Sequence, residues 1–395
     1  MAGVGGPDIA PDGLVLALDA VNGRSFRGEP TTNLRTTNAD GQYTYSTYGG
    51  GQFTWHGIET SGEYTGWHKI TATRTSTANN LIMSVAGTST AASTTYTATI
   101  EFVAPNNNLT FNVTGFSGKG DAIRIGNTNR YYRTWTNTGG GGLNWYLKAP
   151  SLGANADITN GIIYFRQIQW EQKAYPTRWV DGTRGTTVAT GGGWADLSGN
   201  DNHGEILNGT STSNDETIIG ALDFDGTNDY ISNFNHSISS IEYCTVSMWL
   251  KDSVSTIAHR GPFWISDASS RMLFLDIRSD YNHFQISTET KANNRKASSN
   301  QSSLVNGQWH NVIITRNGSS IAAYIDGETI SLTQSDGYGS WGIATNDLSI
   351  GAFTDNGSIY SYWAGSVAQV SIYNRVFSAT EVLQNYKATK SRYGL

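Results

Sequence analysis

The stretch WHNVIITRNGSSIAAYIDGETISL, residues 309–332, restricts the fold more than any other part of the chain. Its apolar runs are separated by Asn317-Gly318 and Asp326-Gly327. Such pairs accept the positive φ of tight hairpin turns, so three strands must run antiparallel as a meander. Upstream, TVSMWLK sets Val246, Met248 and Leu250 on one face and Thr245, Ser247 and Trp249 on the other, the period of two that a strand requires. GLVLALDA (13–20), LSIGAF (348–353) and GSVAQVSIYN (365–374) add further strands. Between about 31 and 187 come STTYTATIEFV, RYYRTWT, LNWYLKA and GIIYFRQIQWEQ, separated by turn-prone PNNN, GKGD and GGGG. Short strands with such turns predict a sandwich or jelly roll.

Helix formers are thin: charged residues are 15% of the chain, while Gly contributes 45 residues. The one helix expected is SATEVLQNYKATK, where Ser378 and Glu381 have capping-box spacing and Phe377 can staple onto Val382. The sequence therefore predicts an all-β chain of antiparallel sandwiches with a short C-terminal helix. A net charge of −6 leaves no basic footprint for nucleic acid. No run approaches 18 apolar residues, so no membrane insertion is expected. Cys244 is the sole cysteine and reads as a small buried hydrophobe. The opening MAGVGGPDIAPDG lacks the pattern of a signal peptide, and synthesis in a cytoplasm is the expectation.

WADLSGNDNHG (194–204) brings Ser, Asp and His together, yet nothing resembles a nucleophile elbow. Asp and Ser ahead of Gly and Asn are turn formers, and a structural loop is the expectation. In LDFDGTND, Asp223, Asp225 and Asp229 stand close enough in sequence to supply part of a calcium shell, without EF-hand spacing. The alternative is a strand followed by an Asx turn. Glycoside hydrolysis needs two carboxylates roughly 5–10 Å apart. Glu101 and Glu171 lie on separate strands and are expected to be structural. No HExxH, P-loop or CxxC occurs, and no enzyme is expected.

The chain has 12 Trp and 20 Tyr. Sugar rings stack on exposed aromatics flanked by polar groups. Trp55, Trp67, Tyr131, Arg133, Trp135 and Trp145 are the candidates for such contact. Alternation places Tyr131, Arg133 and Trp135 on one face of RYYRTWT and Tyr132 on the other. The competing expectation is that these rings fill the core or a subunit interface.

LDFDGTNDYIS, TVSMWLK, GQWHNVIITRNGSSIAAYIDGE and AGSVAQVSIYNRVFSATEVLQNYKATKSRYG resemble the laminin-G-like, concanavalin A-like sandwich family, in the version common in tailed-bacteriophage structural proteins. GLVLALDA and WADLSGNDNHG resemble that family's opening motifs but stand some 160 residues apart. The resemblance implies a sandwich split into 1–30 and 188–395. An inserted jelly roll at 31–187 resembles carbohydrate-binding modules at its ends, TTNLRTTN and IIYFRQIQWEQKAYPTRWVDGTRG. The implied function is a virion surface protein: a capsid fibre or decoration, or a tail or neck component. Its partners would be other virion proteins and host-surface glycans, with any homo-oligomer built through sandwich faces or the leader. A purely structural virion protein, a glycan-degrading depolymerase and a secreted cellular lectin or adhesin are the rival readings.

Overall fold

The chain divides into two units, Met1–Pro30 with Gly185–Leu395, and Thr31–Arg184. The structure, a computed structural model, describes residues 9–22, 24–26, 31–32, 34, 45–49, 51–74, 81–105, 112–115, 123–125, 128–137, 141–149, 160–173, 176, 179, 183–208, 211–212, 221–232, 234, 242–253, 260–266, 272–278, 283–287, 295–298, 304–318, 320–334, 347–355 and 358–395. Much of TTNLRTTN and the GKGD turn lie outside these residues.

The split unit is a sandwich of two antiparallel sheets. Ala364–Tyr373 is central to the first, with Tyr243–Asp252 on one side and Leu14–Asp19 and Leu222–Asp225 sharing the other. Beyond Tyr243–Asp252 come Trp309–Asn317, Ser320–Ile325 and Glu328–Ile330, the three-strand meander that the Asn-Gly and Asp-Gly pairs require. Asp326 and Gly327 have φ of 53° and 82°, as such a turn demands. The second sheet contains Arg260–Ser266 between Asp347–Ile350 and Met272–Arg278. Val246, Met248 and Leu250 from the first sheet and Phe263, Ile265 and Leu275 from the second share one apolar core. Cys244 is buried in it, and burial pushes its thiol up to about 12.

The WADLSGNDNHG loop clamps the chain's first strand. Asp196 accepts from the N–H groups of Ala17, Ser198 and Asn202. Asn202 and Ser198 donate to the Val15 carbonyl, and Trp194 is fully buried. His203 Nδ1 accepts from the Asp196 N–H, while Ser198 donates to Asp196 itself. These polar groups are committed to holding backbone.

Helix α1 (Ala379–Thr389) begins at an extended Ser378 with the capping box formed. Phe377 and Val382 join one buried cluster, the staple read from their spacing. The Ser378 N–H and the Arg375 guanidinium hold the Glu381 carboxyl below the usual range. A depressed carboxyl adds stability above its unfolded value and loses it as pH falls through its folded value. Glu381→Gln is therefore expected to lower the melting temperature at pH 7, with the gap from the parent narrowing towards pH 3. A gap independent of pH would contradict this.

In the Thr31–Arg184 unit, one antiparallel sheet runs Gly51–Ile58, His68–Arg74, Asn160–Glu171, Thr94–Val103, Arg130–Asn137, Ile123–Arg124. A second is built from Tyr45–Gly49, Leu81–Thr90, Gly141–Ala149 and Asn112–Gly115. Thr31–Thr32 and Thr183–Arg184, at the two ends of the unit, pair with each other. Along Thr94–Val103, Tyr96, Ala98, Ile100 and Phe102 are buried on one face. A bulge at Gln167, with φ 54°, resets the phase of Asn160–Glu171. Ile163 and Phe165 precede it and Ile168 and Trp170 follow it, all buried. The opposite face carries Tyr164, Arg166, Thr97, Thr99 and Glu101, because strand side chains alternate.

Candidate glycan-binding face

The register decides which of the sequence candidates look outward. Trp135 pairs with Tyr96, and Tyr131 with Ile100, on the apolar face. Trp135 is 8% exposed, stacks on Tyr96 at 6.3 Å and meets Trp170 edge-on. Tyr131 lies 4.6 Å from Phe102, and Arg133, between Tyr131 and Trp135 along the strand, pairs with Ala98. Trp55 is half-buried against His68 and Phe165. Trp135, Tyr131, Arg133 and Trp55 thus lie on the apolar side of the sheet, Trp135 buried and the other three half-buried. Trp145 lies on Gly141–Ala149, whose side chains are outside the described residues.

Trp67 belongs to a different arrangement. It closes the loop SGEYTGW, whose Gly62 and Gly66 both have φ of 82°. Gly66 N–H donates to the Glu59 carbonyl, and Glu59 N–H to that of Trp67. The turn stacks Tyr64 on Tyr164, with ring centroids 4.1 Å apart and planes 11° from parallel. The Arg166 guanidinium lies over the Trp67 ring at 4.2 Å, and Glu101 fixes its Nε at 2.5 Å. Lys69 is bound to Glu59 at 2.7 Å, and that carboxylate raises its ammonium above the ordinary value. Burial, then the Glu63 carboxylate, raises the Tyr64 phenol above its ordinary value. Three separate segments, 59–69, 164–166 and the strand position of Glu101, thus converge on one patch of paired rings and paired charges, in which Trp67 is itself only 8% exposed beneath Arg166.

Tyr64, Tyr164 and Arg166 were absent from the sequence candidates. One signal for them exists: in IYFRQ, alternation sets Tyr164 and Arg166 on the face opposite Ile163 and Phe165.

The other expected sites resolve into local structure. Asp225 accepts from the N–H groups of Thr227 and Asn228, Asp229 from that of Asp225, and Asp223 from the Ser366 hydroxyl. Among the described residues no group of three or more His, Cys, Asp or Glu is placed to hold a metal ion. Asp225 thus forms an Asx turn, Asp223 stands on the strand Leu222–Asp225 before it, and Asp229 closes back on the Asp225 N–H. Glu171 is fully buried and accepts from the Thr31 hydroxyl. It pairs with Thr97, four residues from Glu101 along one strand, or about 13 Å. Each carboxylate is bound to its own partner, Glu101 to Arg166 and Glu171 to Thr31. A recess of about 310 Å³ in the split unit is lined in part by Gln369, Ser371 and Thr389 and by the ion-paired Arg392 and Asp19.

Residues 225–383 match the family model of the concanavalin A-like lectin/glucanases superfamily. The matched segment lies within the split sandwich. No curated protein matches the chain. Solved structures similar to it include the Ruminococcus gnavus IT-sialidase CBM40 at 13% identity and TM-score 0.31, covering 36% of this chain and 82% of that one. Domain 4 of AbnA, an extracellular arabinanase from Geobacillus stearothermophilus solved with arabinotriose, is similar at 15% identity and TM-score 0.38, covering 49% and 92%. The botulinum neurotoxin serotype D ligand binding domain, solved with N-acetylneuraminic acid, is similar at 18% identity and TM-score 0.39. That last alignment covers 50% of this chain and 48% of the other, so the chain spans about half the length of the toxin domain. No described helix is long and apolar enough to cross a membrane.

Proposed function

We propose that this chain is a non-enzymatic glycan-binding protein whose sugar platform is the face around Tyr64, Tyr164 and Arg166, with Trp67 buried beneath Arg166. The observation that carries this reading is the Tyr64–Tyr164 stack beside the Arg166–Glu101 pair. Aromatic faces meet the C–H faces of a sugar ring, and a charge pair offers donors and acceptors to its hydroxyls. We further read the chain as a tailed-bacteriophage virion surface protein, with other virion proteins as partners. The support for that placement is the ordered series of sequence motifs from LDFDGTNDYIS onward. Many copies on a particle would convert weak single sites into useful avidity.

The test is a multivalent glycan array, followed by calorimetry on the hits. Tyr64→Ala is expected to weaken binding roughly tenfold, a loss of about 1.4 kcal/mol, without changing the fold. A blank array under multivalent display would remove the glycan reading.

A further inference from the structure

We infer that the ligand of this face is an uncharged glycan presenting neighbouring hydroxyls, in preference to a sialylated or uronic acid. The inference rests on the glycan reading and goes further in naming the class of sugar. Each cation at the platform already faces a carboxylate. Arg166 is bound to Glu101, and Lys69 to Glu59. Among the described residues, Arg130 also stands beside them; it pairs in register with Glu101 and donates to the Thr99 hydroxyl. Glu63 adds a third carboxylate next to Tyr64. Among these described residues the charges of the two signs balance, so an incoming carboxylate would have to displace a resident one or lie beside it. A hydroxyl has no such conflict, since it donates to the carboxylate and accepts from the cation. The guanidinium, 4.2 Å from the Trp67 ring centroid and fixed at Nε by Glu101, is a planar fork whose remaining N–H groups suit two hydroxyls fixed on one ring.

The experiment uses the full chain and two probe sets: neutral gluco-, galacto-, manno- and arabino-oligosaccharides, and their uronic or sialylated counterparts. Binding is read by calorimetry at low and high salt. The expected result is binding of a neutral probe with little salt dependence and roughly tenfold weaker binding of carboxylated ones. Arg166→Lys keeps the charge but loses the planar fork, and is expected to weaken neutral binding roughly tenfold. Glu101→Gln is expected to narrow the preference for neutral over carboxylated probes, with circular dichroism confirming that both variants fold. Tighter binding of carboxylated probes that weakens with salt would overturn the uncharged-ligand inference while leaving the glycan reading intact. Neutral binding that survives both variants unchanged would overturn the placement at Arg166. No binding of either set would overturn both readings.

Discussion

Arg260→Met is expected to lower the unfolding free energy of the split sandwich by about 3–5 kcal/mol. Arg260 and Asp252 form an ion pair in which neither side chain reaches solvent. The Arg260 N–H also donates to Asp276, itself 3% exposed, and the guanidinium lies 5.7 Å from the Trp363 ring. Burial lowers the Arg260 value from its ordinary level. Removing the cation leaves the Asp252 carboxylate buried opposite an apolar side chain. Removing both charges avoids that penalty, so Arg260→Met with Asp252→Leu is expected to recover most of the loss. Urea denaturation of the parent, the single variant and the double variant measures both effects. A single-variant loss below about 1 kcal/mol would show that Asp252 is not held as a buried charge.

Trp249→Ala carries the second large effect, about 3–5 kcal/mol. The ring stacks on Tyr393 at 3.8 Å with planes 10° apart, and Tyr386 packs at 5.9 Å. Its Nε1 donates to the Thr389 hydroxyl at 2.9 Å. One side chain therefore fastens helix α1 and the turn after it to the outer face of the sheet. Truncation is expected to raise amide exchange across residues 379–393 ahead of the core strands. Trp249→Phe keeps ring contact and loses the hydrogen bond, a cost of about 1 kcal/mol. Unchanged protection of the helix in Trp249→Ala would refute this anchoring role.

Trp249 also shows how far the sequence could be read. Alternation in TVSMWLK correctly places it away from Val246, Met248 and Leu250. It is nonetheless only 1% exposed, because helix α1, more than a hundred residues later, covers that face. A period of two separates faces and does not say which is covered. The same limit governed RYYRTWT: its partition was legible, but both faces carry aromatic residues and the inward one holds Trp135. The phase change at Gln167 was less legible still, since a left-handed residue inside a strand has no fixed sequence mark. The candidate face depends on pairing between strands distant in sequence. Only Trp67, and the Tyr164–Arg166 spacing, could have pointed to it. Turns were the most readable elements, because Asn-Gly, Asp-Gly and Asx motifs act within a few residues.

The pairing of Thr31–Thr32 with Thr183–Arg184 brings the entry and exit of some 150 residues to neighbouring positions. To the surrounding chain, that whole segment is equivalent to a hairpin loop. Closure cost grows only slowly with loop length. The segment is thus an exchangeable cassette: a short Gly-Ser bridge from residue 30 to 185 would leave the register of the host sandwich intact, and a different module with closely spaced ends could replace it. The support and the inserted unit are thereby separable by their connections alone.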